Sequence, residues 1–166
     1  MRVLGVDPGL AATGVALVTG AAGRVESFSF GCVRTGANEP ASRRLLHIFE
    51  EIREVVTAKK PDLMVVEDIF TLKVFPRSAV LLGKASGVIL AAGALCGVPV
   101  EEVAVREVKK ILTGNGNASK SQLERAVRAR LGRGEAIRPS HAADALALAL
   151  IGLYRGPPLP TRIPAP

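Results

Sequence analysis

Short apolar runs separated by turn residues open the chain and predict three consecutive β-strands. The first run, Arg2–Asp7, ends in Asp-Pro-Gly, and the second, Thr13–Thr19, is followed by a turn at Gly20–Gly23. Residues Arg24–Thr35 alternate between apolar and polar, which predicts a third strand. Because tight turns join antiparallel neighbours, we expect the three strands to form a meander.

The pattern then changes to helical spacing, interrupted by two further strands. Apolar residues recur every three or four positions over Glu39–Lys60, and Pro61 ends that helix. Leu63–Val66 is continuously apolar, as in a strand buried on both faces, and Glu67 and Asp68 follow it. The remaining predicted elements are a loop at 69–76, a helix rich in small residues at Arg77–Cys96, a strand at Pro99–Val105, a helix at Arg106–Leu112, and two helices capped by Ser119 and Ser140 that run to Leu131 and about Tyr154.

This order of elements predicts an α/β fold. Three antiparallel meander strands followed by two crossover strands give a five-stranded mixed sheet, which helices cover on its faces. A chain of 166 residues fits one domain, expected over residues 1–155. Residues 156–166 hold five of the eleven prolines, and we expect this tail to be disordered.

Composition narrows the class of protein. Hydrophobic residues make up 48% of the chain, and its two cysteines, Cys32 and Cys96, lie far apart, which excludes a disordered chain and a disulfide scaffold. The cysteines and the lack of a visible secretory signal predict a cytoplasmic location. The most apolar stretch, Ala79–Val100, contains Lys84, and its uninterrupted part is shorter than the ~20 residues of a bilayer span. We therefore expect a buried helix and no membrane anchor.

Positive charge is concentrated in one part of the chain. The formal net charge is +7, and the segment Val103–Arg138 carries nine basic and three acidic residues, a net +6. Such a surplus favours a polyanionic partner, although a run of charge is usually a solvated helical face.

The few acidic residues at element ends form a candidate site. Asp7 ends the first strand and Glu67 the fourth, two apolar strands that we expect to be neighbours, while His141 and Asp144 share one face of the last helix. Oxygen ligands favour Mg²⁺ or Mn²⁺, and a pair of such ions supports in-line phosphoryl displacement. Each residue also has a simpler interpretation: a turn residue at Asp7, a helix-dipole partner at Asp144, a surface residue at His141. Strand alternation leaves open whether Glu67 or Asp68 faces the site.

Taken together, these residues resemble the RuvC-type Holliday junction resolvases of the ribonuclease H-like fold. The resemblance runs from Val3 to about Leu150. It rests on Gly5-Val-Asp7-Pro-Gly9 with Thr13-Gly14, Val65-Val-Glu67-Asp-Ile-Phe70, Ser78-Ala79 with Leu82-Gly83-Lys-Ala-Ser-Gly87, Val108-Lys109, Lys120-Ser-Gln122 and Ala142-Ala-Asp144-Ala-Leu146-Ala. Any one of these motifs is weak, whereas the ordered set is specific.

The resemblance implies a homodimeric, Mg²⁺-dependent endonuclease that cuts two opposed strands of a four-way DNA junction. The cuts are symmetric and leave 5′-phosphate and 3′-hydroxyl ends. Asp7, Glu67 and Asp144 match three metal-binding positions of the family, which selects Glu67 over Asp68. His141 stands at the fourth, where Asp is usual, and a nitrogen ligand there favours Mn²⁺ over Mg²⁺. Two ions per site are expected, with Asp7 bridging them.

The resemblance also assigns DNA contacts and partners. Lys109 and Lys120 match basic residues near the scissile phosphate, with Lys120 expected to stabilise developing charge. Phe70 matches an aromatic residue that stacks at the junction centre, although core packing explains it equally well. Arg77 is a further expected DNA contact. Gly83 and Gly87 lie in the helix through which the family dimerises, and a branch-migration complex of the RuvA and RuvB type is the implied partner.

Other functions remain open at this stage. An Asp-x-Gly hairpin also begins sugar kinases and actin-like ATPases, but those need a second lobe and leave Glu67, His141 and Asp144 without a role. A nuclease for RNA–DNA hybrids has closer chemistry, and a non-catalytic binder of junctions or duplex DNA needs only the positive charge.

Overall fold

A computed structural model describes residues 1–21, 23–69 and 76–156, the side chains of Pro76 and Arg77 excepted. Its strands are β1 (Arg2–Asp7), β2 (Ala12–Ala21), β3 (Arg24–Arg34), β4 (Leu63–Asp68) and β5 (Val100–Ala104). Its helices are α1 (Ala41–Lys59), α2 (Pro76–Leu95), α3 (Val105–Thr113), α4 (Lys120–Leu131) and α5 (Ser140–Arg155).

The five strands form one mixed sheet, which confirms the predicted fold class. The strand order is β3-β2-β1-β4-β5, with β1 and β2 antiparallel, β2 and β3 antiparallel, and both β1–β4 and β4–β5 parallel. As expected, β1 and β4 are neighbours, with Gly5 paired to Val65 and Val6 to Val66. The carboxyl ends of these two strands therefore meet at one edge of the sheet.

Helices pack on both faces of the sheet, and strand alternation divides the core into two halves. One half joins Val3 and Val65 to the buried residues of α3, α4 and α5. The other joins Leu4, Val6 and Met64 to the buried residues of α1 and α2. The side chain at every second position of β1 and β4 therefore faces α5.

Glycine allows the backbone of α5 to lie directly on the sheet. A Cβ atom at Gly5 would stand 2.0 Å from the carbonyl oxygen of Ala145, and one at Gly14 would stand 2.0 Å from that of His141. From the helix side, a Cβ at Gly152 would stand 2.6 Å from Cγ1 of Val3. Any side chain at these positions would push the helix away, so the three glycines set its distance from β1 and β2.

The predicted caps have different outcomes. Ser119 accepts a hydrogen bond from the Gln122 amide while the Gln122 side chain accepts one from the Ser119 amide, a full capping box that confirms the predicted N-cap. The prediction for Ser140 is wrong, because Pro139 holds the N-cap position of α5 and no side chain caps the helix. Proline has already fixed the extended backbone angle that an N-cap residue adopts.

Less than a third of the long apolar helix is buried, which corrects the expectation of a buried helix. Among the described residues, α2 alone is long and apolar enough to cross a membrane by length and composition, and 28% of its Ser78–Leu95 window is buried. Ala85, Ile89 and Ala92 face the core, whereas the side chains of Val80 and Leu95 are 58% and 68% exposed. A second apolar face of α2 thus points away from the sheet.

Some predictions fall outside the described residues. Phe70 and most of the predicted loop at 69–76 are among them, as are the Arg77 side chain and tail residues 157–166.

The close packing of α5 makes a stability prediction. Gly5→Ala forces a methyl group into the α5 backbone and is expected to lower the free energy of unfolding by about 3 kcal/mol or more, the upper range for overpacking. Gly31→Ala is the matched control, because a Cβ at Gly31 in strand β3 meets nothing within 4 Å. Urea unfolding measures both variants, and equal stability of the two would contradict this account.

Candidate active site

A cleft of about 350 Å³ opens where β1 and β4 end and α5 begins. It brings together four side chains predicted as metal ligands and both predicted lysines. The residues that line it are Asp7, Pro8, Glu67, Ile69, Leu82, Val105, Lys109, Lys120, His141 and Asp144.

Strand alternation explains which carboxylates reach the cleft. Asp7 follows Gly5 on the α5 side of β1 and is only 6% exposed, while Glu67 follows Val65 on the same side of β4. Asp68, the next residue, points to the opposite side of the strand. Strand alternation alone left open whether Glu67 or Asp68 faces the cleft, and in the structure it is Glu67.

The first turns of α5 supply the other two ligand candidates. His141 Nδ1 lies 2.6 Å from Asp7 Oδ2, within hydrogen-bond distance. This bond with Asp7 raises the pKa of His141, which favours the imidazolium form. Asp144, three residues later, faces the same cleft. The short distance between α5 and Gly14 brings the imidazole to the buried carboxylate.

Lysines from two other helices complete the lining. Lys120, the first residue of α4 after its N-cap, places Nζ 3.3 Å from Asp144 Oδ2 while 74% of its side chain stays exposed. The charge of the neighbouring Asp144 raises the pKa of Lys120, which favours the protonated, positively charged form of the lysine. Lys109 enters the cleft from α3.

The carboxylates in the cleft crowd one another. Burial, the hydrogen bond with Asp7 and the charges of Asp7 and Asp144 raise the pKa of Glu67 to about 8. Burial and the charge of Asp7 likewise raise the pKa of Asp144, against the opposing effect of Lys120. Such crowding of like charges is the electrostatic signature of a site that accepts cations.

A chain of hydrogen bonds holds the loop that follows Asp7. Thr13 Oγ1 donates to the Gly9 carbonyl at 2.8 Å. Thr35 Oγ1 donates to the Leu10 carbonyl at 2.5 Å and accepts from Arg44 Nε at 2.8 Å. Thr13 belongs to a motif of the sequence, whereas Thr35 and Arg44 carried no sequence signal, because their contacts join residues 25 and 9 positions apart.

The donor set fits a hard divalent cation. Three carboxylates and an imidazole line one cleft, and the oxygen donors suit Mg²⁺ or Mn²⁺. Within the described part of the chain, no three His, Cys, Asp or Glu side chains are grouped closely enough to hold a metal ion. Asp7 is paired with His141, and Asp144 with the cation Lys120.

The basic segment serves two purposes. Arg128 pairs with Glu124 at 3.1 Å and donates to the Gly134 carbonyl at 2.6 Å, and Arg133 lies over the Phe30 ring, 5.4 Å from its centroid. These two arginines anchor α4 and the loop before α5. Lys109 and Lys120 instead face the cleft. The segment is therefore not a uniform surface for a polyanion.

Comparison with known proteins gives a consistent result. A family model described as crossover junction endodeoxyribonuclease RuvC matches residues 3–152. The crossover junction endodeoxyribonuclease RuvC of Moorella thermoacetica is 43% identical over 150 residues, covering 90% of this chain and 89% of that protein.

Solved structures agree with the sequence relatives. Thermus thermophilus RuvC in complex with Holliday junction substrate matches with a TM-score of 0.84 and 37% identity, covering 90% of this chain and 91% of that one. The yeast mitochondrial Holliday junction resolvase Ydc2 matches with a TM-score of 0.59 and 10% identity, covering 89% of this chain and 75% of that one, a likeness that shows the fold alone. The family model and the identity with relatives along nine-tenths of the chain place this protein in the RuvC family of crossover junction endodeoxyribonucleases.

Proposed function

We propose that this protein is an endonuclease that resolves four-way DNA junctions by paired, symmetric, metal-dependent hydrolysis of two opposed strands. The products are 5′-phosphate and 3′-hydroxyl ends. The observation that carries the proposal is the convergence of Asp7, Glu67, His141 and Asp144 with two lysines in one cleft of a RuvC-family chain. The junction-bound structure of the Thermus thermophilus relative supports the choice of substrate.

Asp7, Glu67, His141 and Asp144 would hold the divalent ions, with Asp7 in the central position because it is the most enclosed and contacts both Glu67 and His141. When bound, a pair of Mg²⁺ or Mn²⁺ ions activates water and neutralises charge on the departing 3′ oxygen. The loop held by Thr13 and Thr35 keeps Asp7 in place.

The lysines act on the substrate backbone. Lys120 is an exposed cation at the mouth of the cleft, so it can reach a phosphate oxygen and stabilise the charge that develops during cleavage. Lys109, half-buried on α3, supports the position of the phosphate as a point charge. Phe70 and Arg77 remain proposed DNA contacts on the strength of the sequence resemblance.

We also propose that the protein acts as a homodimer that pairs along α2. The residues of its open face recur at helical spacing and are small or apolar, apart from one lysine: Val80, Lys84, Gly87, Ala91 and Leu95. Gly87 has no intramolecular reason to be glycine, since a Cβ there meets nothing within 4 Å. Two copies of the cleft are what paired cuts on opposed strands require. A cytoplasmic location and contact with a branch-migration complex of the RuvA and RuvB type complete the proposal.

Removing the central carboxylate separates cutting from binding. Asp7→Asn is expected to lower the cleavage rate of a four-way junction by about 10³-fold or more, because several kcal/mol of charge stabilisation depend on the metal site. Junction affinity in a gel-shift assay is expected to persist. Asp62→Asn is the control, since Asp62 accepts from the Arg2 amide at the opposite end of β1. Undiminished cutting by Asp7→Asn would overturn the proposal.

The imidazole in the ligand set predicts a metal preference. His141→Asp replaces a nitrogen donor by oxygen and is expected to lower the ratio of the cleavage rate in Mn²⁺ to that in Mg²⁺. Titration of the protein with Mn²⁺ by calorimetry measures the change in Mn²⁺ affinity without turnover. If the ratio and the Mn²⁺ affinity stay the same, His141 is not a ligand.

The exposed face of α2 predicts a dimer that one charge disrupts. Gly87→Glu places a carboxylate on that face and is expected to convert a dimer to monomers in sedimentation velocity, with loss of paired cutting. Gly31→Glu makes the same change at another open glycine, on β3, and is expected to remain dimeric. A wild-type monomer, or a dimeric Gly87→Glu variant, would show that the subunits do not pair along α2.

A further inference from the structure

A second, larger groove lies beside the active cleft. It encloses about 1120 Å³ between α3 and the loop 114–117, and we call it the α3 groove. Val105 lines both the α3 groove and the cleft, so the two adjoin along α3. Lys109 projects into the cleft, whereas Arg106 and Lys110 line the groove. These two cations are therefore the basic residues that a strand leaving the cleft along α3 would meet.

The positive charge of the α3 groove is not neutralised within the described part of the chain. Glu107, the carboxylate that lines the groove, accepts from Arg155 at 2.5 Å. Arg106 and Lys110 form no ion pair with a carboxylate anywhere in residues 1–21, 23–69 and 76–156. This distinguishes them from Arg128 and Arg133, whose guanidinium groups are held by intramolecular contacts.

The loop 114–117 is built to hold Arg106 in place. A Cβ at Gly116 would stand 2.9 Å from Cγ and 3.4 Å from Nε of Arg106, so glycine at this position leaves room for the arginine to lie against the loop. The loop is ordered by its own side chains, since the Asn115 amide donates to Thr113 Oγ1 at 3.1 Å and the Asn117 amide donates to Asn115 Oδ1 at 2.9 Å. The groove thus has an ordered wall, and the Arg106 side chain lies against it.

We propose that the α3 groove binds the sugar–phosphate backbone of the duplex arm that leaves the active cleft, with Arg106 and Lys110 each contacting a phosphate. The inference rests on the proposed function, because it takes DNA in the cleft as its starting point. Residues four apart on a helix are separated by about 6 Å along its axis, which allows the two side chains to meet different phosphates of one strand. Both contacts are independent of base sequence.

Salt dependence tests these contacts directly. The double variant Arg106→Gln/Lys110→Gln is expected to bind a four-way junction about tenfold to a hundredfold more weakly at about 0.1 M salt. The negative slope of log affinity against log salt concentration is expected to decrease in magnitude by about two, one for each phosphate that the variant no longer binds. Fluorescence anisotropy of a labelled junction with Ca²⁺ measures both, and the cleavage rate at saturating junction with Mg²⁺ is expected to change by less than about twofold.

Two further variants separate contact from net charge. Arg24→Gln/Arg43→Gln removes the same charge from β3 and α1, outside the groove, and is expected to keep the wild-type slope. Gly116→Ala keeps the charge but displaces Arg106. It is expected to decrease the magnitude of the salt-dependence slope by about one. Wild-type slopes in both the groove double variant and Gly116→Ala would overturn the groove proposal.

The outcomes also distinguish this inference from the proposed function. If the wild-type protein cuts the junction and the groove variants keep its slope, the nuclease function stands and the groove does not hold DNA. An α3 groove that binds a protein would give that same result. If the wild-type protein neither binds nor cuts the junction, the proposed function fails and the groove inference fails with it.

Discussion

The close contact between α5 and the sheet is the constraint on which the site depends. Gly5 and Gly14 leave no side chain between the strands and the helix, so the α5 backbone rests on β1 and β2. That contact brings His141 within 2.6 Å of Asp7 and turns Asp144 toward the same cleft. Because β1 and β4 are parallel neighbours, Glu67 arrives at the same edge from the adjacent strand. The position of one helix and the pairing of two strands thus assemble four side chains that are up to 137 residues apart in sequence.

Electrostatics explains why this assembly suits phosphodiester chemistry. Carboxylates held together by the fold repel one another, and burial together with this repulsion raises the pKa of Glu67 to about 8. Cations stabilise such a cluster. Lys120 supplies one from the chain itself, and the hydrogen bond with Asp7 raises the pKa of His141 toward its charged form. Bound divalent ions would neutralise the negative charge of the carboxylates, and the lysines would neutralise that of a substrate phosphate.

Much of this arrangement could be predicted from the sequence, because periodicity reports on local structure. The five strands, the helices and the neighbouring positions of β1 and β4 follow from apolar runs and turns. The ordered motifs predicted Glu67, where alternation alone could not tell which face of β4 the helix would cover. The prediction of Ser140 as the N-cap of α5 was wrong, because Pro139 holds the N-cap position. The sequence pattern does not resolve a difference of one residue.

Long-range contacts were beyond the reach of the pattern. The bond from Thr35 to Leu10 and its support from Arg44 depend on how β3 and α1 meet the loop after Asp7. A count of charges likewise does not distinguish among the nine basic residues of 103–138. In the structure, Arg128 and Arg133 form intramolecular ion pairs. Arg106 and Lys110 instead line a groove. The sequence also did not predict the exposed face of α2, because a helix with two apolar faces has the sequence pattern of a buried helix.

We propose that the clefts of two chains cut a four-way junction in concert. The most direct measurement compares cleavage of a four-way junction with cleavage of linear duplex of the same sequence, with Mg²⁺ and Mn²⁺ in turn, mapping the cut on every strand. We expect symmetric cuts on two opposed strands of the junction, with ends that a ligase can seal, and no cleavage of the duplex. Equal cleavage of both substrates, or none of either with both ions, would contradict the account.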